Sequence, residues 1–176
     1  MKFLKAKIED YPSIINLNNE SVPHVNRISS KTLSDLHEQA FFSYVAVAAE
    51  DTNSVCEASD ENVVGFLLAL DESARYQSVN YQYFKQHYRS FIYVDRIIVS
   101  KTFHRRGIGS GLYQRLFQTI GMRKPLICCE VNLQPPNPQS MQFHKEMGFA
   151  GVANQTTENG SKQVNLMIRQ TESETV

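Results

Sequence analysis

The sequence predicts a single α/β domain built on a mixed β-sheet, and three observations carry that expectation. The chain has 176 residues, 41% hydrophobic and 20% charged, enough to bury one substantial core. Short β-rich apolar runs are interleaved with helical stretches, with no internal repeat and no low-complexity linker. One of those runs, beginning at Val94, leads through a glycine-rich turn into an amphipathic helix that extends past Leu116.

Taken in order, Phe3 to Ile8 reads as the first strand. Asp10 is placed to cap a helix from Tyr11 to about Asn19, with Pro12 tolerated in its first turn. Pro23 keeps Glu20 to Asn26 irregular, and Ser30 is placed to cap a second helix through Gln39. Phe41 to Ala49 and Val63 to Leu70 read as two strands, joined by a long polar, acidic loop over Glu50 to Glu61. Ser73 to Ser90 carries Tyr76, Tyr81, Tyr83, Phe84 and Tyr88 without a strong period, leaving room for a short helix. Phe91 to Val99 is a strand. From Gly107 to Ile120, Ile108, Leu112, Leu116 and Ile120 recur on one helical face. Leu126 to Val131 is a buried strand, after which Asn137 caps a helix with Pro138 at its first position and Gly148 at its stop. Phe149 to Ala153 and Gln163 to Arg169 close the sheet. The domain is expected over residues 1–170, with 171–176 as a polar tail.

Composition narrows the function classes. No apolar run approaches the ~20 residues of a membrane helix, and Met1 to Lys5 lacks the marks of a signal peptide. Cys56, Cys128 and Cys129 form neither a disulfide framework nor a zinc-ligand spacing, so no metal is expected. The adjacent pair reads as reduced thiols on opposite faces of a strand, which points to the cytoplasm. Eighteen basic residues balance eighteen acidic ones, arguing against nucleic acid or an anionic membrane as partner. The charges are unevenly spread: nine carboxylates and no Lys or Arg lie between Lys31 and Arg75, while Arg96 to Cys129 holds seven basic and no acidic residues. The basic stretch suits a bound anion such as a phosphorylated cofactor; chance clustering on solvated faces is the plainer account.

Within the basic stretch, His104-Arg105-Arg106-Gly107-Ile108-Gly109-Ser110-Gly111 joins a strand to a helix N-terminus. Glycines permit close backbone approach, and the unpartnered first-turn N–H groups with the positive end of the helix dipole form an anion site. The pattern is neither a dinucleotide fingerprint nor a P-loop, since Leu112 follows Gly111 and no Gly-Lys-Ser/Thr is present.

These residues resemble the GNAT superfamily of N-acetyltransferases, whose Gln/Arg-x-x-Gly-x-Gly/Ala motif is matched by His104 to Gly109 with His104 as the departure. A second family pattern, Asn-x-x-Ala-x-x-Leu-Tyr-x-x-x-Gly-Phe, is matched in place by Asn137, Ser140, Phe143, His144, Gly148 and Phe149. The resemblance implies an α+β fold with a mixed, mostly antiparallel six- to seven-stranded sheet flanked by helices. It implies acetyl-CoA as co-substrate, its pyrophosphate on the turn from His104 through Gly111, its pantetheine along Ile97, Ile98 and Val99, and contacts from Asn137 and Ser140.

Transfer of an acyl group from a thioester to an amine needs a base, because an alkylamine of pKa about 10 is protonated at neutral pH. Asp95, on the strand leading to the cofactor turn, is the candidate base. The stretch resembles the spermidine/spermine acetyltransferases, in which a glutamate at the matching place is proposed to act through water. A structural partnership of Asp95 with Arg96 or a tyrosine is the alternative. His144 stands where the family often has tyrosine near the thiol and is the candidate acid, with a role as the base itself or packing beside the cofactor as its alternatives.

By the same resemblance the acceptor site involves the segment after the first helix, with Glu20 and Ser21, and the chain into the fourth strand, with Tyr81 and Tyr93. The aromatics would wall a site or, more plainly, fill core or a homodimer contact. The expected acceptor is the primary amine of a small molecule or a peptide. A non-catalytic acyl-CoA-binding module is the alternative function.

Overall fold

A computed structural model of the chain describes residues 1–48, 62–121, 123–157 and 160–171. The acidic loop expected over Glu50 to Glu61, Cys56 within it, and the tail beyond Thr171 lie outside these residues. Along the chain run β1 (Lys2–Lys5), α1 (Tyr11–Glu20), α2 (Ser30–Glu38), β2 (Ala40–Ala48), β3 (Asn62–Asp71), α3 (Val79–His87) and β4 (Ile92–Val99). They are followed by α4 (Ile108–Ile120), β5 (Leu126–Gln134), α5 (Pro138–Glu146), β6 (Ala150–Thr157) and β7 (Lys162–Gln170). The seven strands are ordered β1-β2-β3-β4-β5-β7-β6. β1 and β2, β5 and β7, and β6 and β7 pair antiparallel, while β4 and β5 pair in parallel, so the sheet is mixed and mostly antiparallel. Among the described residues no helix is long and apolar enough to cross a membrane.

The chain forms two compact units. The first comprises Met1–Glu38, Phe42–Leu68 and Arg96–Leu116. In it α1 and α2 bury Ile14, Leu17, Leu33 and Leu36 at their shared side. β3 is buried on both faces from Val63 onward, which is why its sequence is continuously apolar instead of alternating. Every fully buried aliphatic of this kind contributes about 1.5–3 kcal/mol. Asp10 does not cap α1 as its sequence position suggests: its carboxylate accepts the Lys7 N–H at 2.7 Å, closing the preceding 3-10 turn. α2 is capped one residue earlier than expected, by the Ser29 hydroxyl accepting the Thr32 N–H at 3.1 Å.

The second unit comprises Gln39–Phe41, Ala69–Asp95 and Phe117–Val176. The tyrosine-rich stretch resolves into α3, whose Tyr81 and Phe84 are fully buried and pack among Phe91 and Tyr93. β5 carries on three residues beyond its expected end, with a register shift against β7 between Asn132 and Gln134. The α5 signals act as read: the Asn137 side chain accepts the Ser140 N–H at 3.1 Å, and Gly148 stops the helix at φ 86°. Cys128 and Cys129 are buried and not joined in a disulfide.

Candidate active site

In the first unit the candidate residues centre on the turn between β4 and α4. Along β4 Asp95, Ile97 and Val99 are half-exposed on one face while Arg96 and Ile98 are buried on the other, the period-two alternation of a strand. The chain then turns sharply. The Ser100 N–H donates to the Val64 carbonyl at 2.8 Å, and the His104 ring donates through Nε2 to the Val99 carbonyl at 2.9 Å. His104, the departure from the family pattern, thus closes the turn against the end of its own strand. Arg105 and Gly107 both take positive φ, 61° and 76°. For arginine that conformation costs about 1 kcal/mol or more and persists only where the surroundings enforce it. The Arg106 guanidinium rests over the Phe103 ring, 5.0 Å from its centroid.

A helix beginning at Ile108 leaves the N–H groups of Gly107, Ile108, Gly109 and Ser110 without intrahelical acceptors, at the positive end of its dipole. Two residues with positive φ, Arg105 and Gly107, shape the turn that leads into that end. The pyrophosphate of acetyl-CoA fits such a cradle. Gly111, which the sequence pattern assigns to the cradle, lies outside it. Its N–H already donates to the Gly107 carbonyl at 2.9 Å, and a Cβ there would overlap the Phe3 ring of β1. Gly111 is glycine so that β1 and α4 can approach. Gly65 on β3, which carries no signal in the sequence, has a similar role: a Cβ on it would stand 2.9 Å from the Ile98 carbonyl and 3.4 Å from the Ile108 side chain.

In the second unit a separate cluster centres on Glu130, which sequence reasoning misses. β4 and β5 pair through Ile92–Ile127 and Tyr93–Cys128, and beyond these pairs Tyr93 reaches Glu130 by its hydroxyl and Asp95 acts on it by its charge. Tyr93, fully buried, donates its hydroxyl to Glu130 Oε1 at 2.9 Å, and Asn80 of α3 donates Nδ2–H to the same oxygen at 3.0 Å. Oε1 is therefore saturated. Oε2 is enclosed and has no hydrogen-bond partner among the described residues; the residue keeps some exposure, but this oxygen governs its acidity. Burial, and then repulsion from the Asp95 carboxylate, push Glu130 up to about 7, against the pull of Tyr93, Asn80 and Lys162. Burial and the neighbouring Glu130 likewise hold the Tyr93 phenol well above its ordinary range, so it remains a donor.

His144, on α5, is buried, and its Nδ1–H donates to the Ser140 carbonyl at 2.8 Å. That bond fixes the tautomer and leaves Nε2 without a proton. Burial lowers the pKa, against the opposing effect of the Ser140 carbonyl, so at neutral pH the ring is neutral. The resting acid expected from the sequence is not what this geometry provides. Asn137 is a helix cap, and Ser140, whose N–H it holds, supplies the carbonyl that orients His144.

The remaining candidates are spread out. Glu20 is exposed and accepts from Asn16 at 3.0 Å, while Ser21 donates its hydroxyl back to the Leu17 carbonyl at 2.9 Å. Tyr81 is fully buried, its hydroxyl 2.8 Å from the Asp71 carbonyl, and burial pushes it up to about 12. It is a core residue. Tyr93 is placed by its hydroxyl on Glu130.

Comparison with known proteins follows the same lines. The profile of the acetyltransferase (GNAT) family matches residues 12–149. No curated protein sequence matches the chain. Among solved structures, Ard1 from Thermoplasma volcanium superposes with a TM-score of 0.74 at 18% identity, covering 98% of both chains. The ribosomal-protein-S18-alanine N-acetyltransferase from Escherichia coli gives 0.66 at 14% identity, over 99% of this chain and 97% of that one. Arabidopsis thaliana NAA60 in complex with a bisubstrate analogue gives 0.72 at 16% identity, over 96% and 97%. At these identities the likeness is one of fold.

Proposed function

The chain belongs to the acetyltransferase (GNAT) family, and from that premise we propose that it transfers an acetyl group from acetyl-CoA to a primary amine, with Asp95 and Glu130 acting as a paired base. The observation that carries the reading is the enclosed Glu130 carboxyl, with Oε1 saturated, Oε2 without a partner among the described residues, and a pKa of about 7 beside a second carboxylate. A base is most effective when its pKa lies near the working pH.

The two carboxylates divide the work. Oε2 of Glu130 is enclosed, so the half-exposed Asp95 is the group that meets the incoming amine, directly or through water. Glu130 then holds the proton, because its raised pKa lies near neutrality. Tyr93 and Asn80 fix the carboxyl plane so that the proton has one place to go. The cradle amides and Arg105 hold the pyrophosphate, and Ile97 to Val99 present backbone to the pantetheine arm. When bound, acetyl-CoA supplies the acyl group already activated as a thioester. His144 contributes a neutral, oriented ring on α5 and is assigned no proton transfer.

The base also speaks to the acceptor. Moving a proton from an α-amine of pKa about 8 to a carboxylate of about 7 is uphill by roughly tenfold, but from a lysine of about 10.4 by more than a thousandfold. The α-amino group of a peptide or amino acid is therefore the preferred acceptor. Proteins of similar fold bear names of the same kind, among them the ribosomal-protein-S18-alanine N-acetyltransferase and a NatC complex bound to Gag peptide.

The test is amine-dependent release of thiol from acetyl-CoA, screened over peptides with free α-amines, amino acids, polyamines and lysine analogues. Glu130→Gln should lower kcat by about 10²–10³ while acetyl-CoA still binds. If no amine stimulates turnover by the wild-type protein while acetyl-CoA binds, the chain is an acyl-CoA-binding module and the reading fails.

A further inference from the structure

Two enclosed side-chain oxygens in the second unit have no hydrogen-bond partner among the described residues: Oε2 of Glu130 and Oδ1 of Asn80. A buried acceptor left unpaired is costly, and native proteins seldom keep one without a reason. These two belong to groups that are already joined, since the Asn80 Nδ2–H donates to Glu130 Oε1 at 3.0 Å. Asn80 is 8% exposed and stands in the first turn of α3. Its neighbours hold that turn in place. The Tyr81 hydroxyl lies 2.8 Å from the Asp71 carbonyl, and Gln82 Nε2 donates to the Tyr76 carbonyl at 2.6 Å. The amide therefore meets the carboxyl from a fixed support.

An ionised carboxylate satisfies neither orphan, because it only accepts. A carboxylic acid satisfies both at once, since one proton turns Oε2 into a donor for the amide oxygen. The bond already present is half of the two-bond ring that a carboxylic acid and a primary amide form side by side. We propose that Asn80 is a positioning residue for the proton on Glu130: the protonated carboxyl donates Oε2–H to Asn80 Oδ1 while Asn80 Nδ2–H donates to Oε1, closing an acid–amide ring. The inference rests on the reading above, in which Glu130 receives the proton of the amine. The amine gives up a proton and its positive charge; Oε2 gains the O–H bond and loses its negative charge. Asn80 then gives that proton an acceptor inside the protein.

The other titratable groups acting on Glu130 are Asp95 and Tyr93 of β4 and Lys162 of β7, with Cys128 on its own strand. Burial and Asp95 favour the protonated form, while Tyr93 and Lys162 favour the ion. Asn80 acting as a donor alone would also favour the ion. Closing the ring reverses the sign of its effect, and that reversal can be measured.

Asn80→Leu keeps the branching at Cγ and removes donor and acceptor together. The Glu130 carboxyl carbon, followed by NMR across pH and identified by its absence in Glu130→Gln, should report a proton affinity about tenfold lower than in the wild type, the effect of one lost hydrogen bond. The carbonyl stretch of the acid form, in infrared difference spectra between low and high pH, should move to higher frequency once the O–H has lost its acceptor. Asn80→Val serves the same purpose should the leucine variant fail to fold. In amine-dependent turnover the acidic limb of kcat/KM should shift down by about one pH unit. A proton affinity unchanged or raised, or an acid band that stays in place, would overturn the proposal. A wild-type protein that binds acetyl-CoA and acetylates no amine would instead sink the functional reading, while the two spectroscopic measurements still decide the ring.

Discussion

Glu130→Gln should make the protein more stable at alkaline pH while disabling it. The wild-type carboxyl moves from its ordinary 4.5 in the unfolded chain to about 7 when folded, a difference worth about 3 kcal/mol. The folded state thus binds this proton more tightly than the unfolded state. Stability from this group is fully present below about pH 4.5 and is lost as pH rises through 7. The glutamine in the variant carries no titrating proton, so the variant's stability lacks that fall. Its amide keeps an oxygen for Tyr93 and Asn80 and puts an NH₂ where Oε2 has no partner among the described residues, at some constant cost. That cost cancels when the same pair of proteins is compared at two pH values. Between pH 4.5 and 8 the difference in unfolding free energy should swing by about 3 kcal/mol in favour of the variant, roughly 6–12 °C in relative Tm for a chain of this size. Thermal and urea unfolding of both proteins across that range measures it. A difference flat to within about 0.5 kcal/mol would mean that Glu130 ionises normally in the folded state, and the argument for it as the proton holder would go with it.

The remaining predictions concern the cradle, the helix behind it and His144. Gly107→Ala forces a Cβ onto φ 76° and should cost about 1 kcal/mol or more, with a rise in the Kd for acetyl-CoA seen by calorimetry. Gly111→Ala should instead destabilise by about 1–3 kcal/mol through overlap with Phe3, leaving the Kd of the folded fraction nearly unchanged; in a double-mutant cycle with Phe3→Ala most of that loss should disappear. His144→Phe should retain kcat within about tenfold and leave the pH dependence of kcat/KM unaltered, whereas loss of an acidic or basic limb would restore the ring as a proton carrier.

The parts legible in the sequence are those governed by local rules. The strand, turn and helix from Val94 to Ile120 declare themselves through glycine placement and four-residue apolar spacing, and Asn137, Pro138 and Gly148 mark both ends of α5 within a dozen residues. Gly111 misleads because a string of alternate glycines looks uniform. Yet it follows Gly107 by one turn, so helix geometry already commits its N–H. Asp10 and Ser30 mislead within a residue of the true helix ends, where cap assignment is least determined. Glu130 does leave a signal, as the single acid inside the apolar run Leu126 to Leu133: a charge in a buried strand must be paired or neutralised. Its partners leave none. Asn80 lies fifty positions away and Tyr93 thirty-seven, and no local pattern joins them.

What organises the site is the period of β4. Tyr93 and Asp95 share one face and act on Glu130, the first by its hydroxyl, the second by its charge; Ile97 and Val99 continue that face toward the cofactor turn. Arg96 and Ile98 occupy the other face, where Arg96 reaches Asn18 and a side chain on Gly65 would strike the Ile98 carbonyl. Chemistry and scaffolding therefore alternate residue by residue along eight positions. Single substitutions in such a strand damage one face or the other. An inserted residue exchanges the two, placing a guanidinium where Asp95 stands and a carboxylate against the Asn18 oxygen. The strand's register is thus as much a requirement of the activity as any one of its side chains.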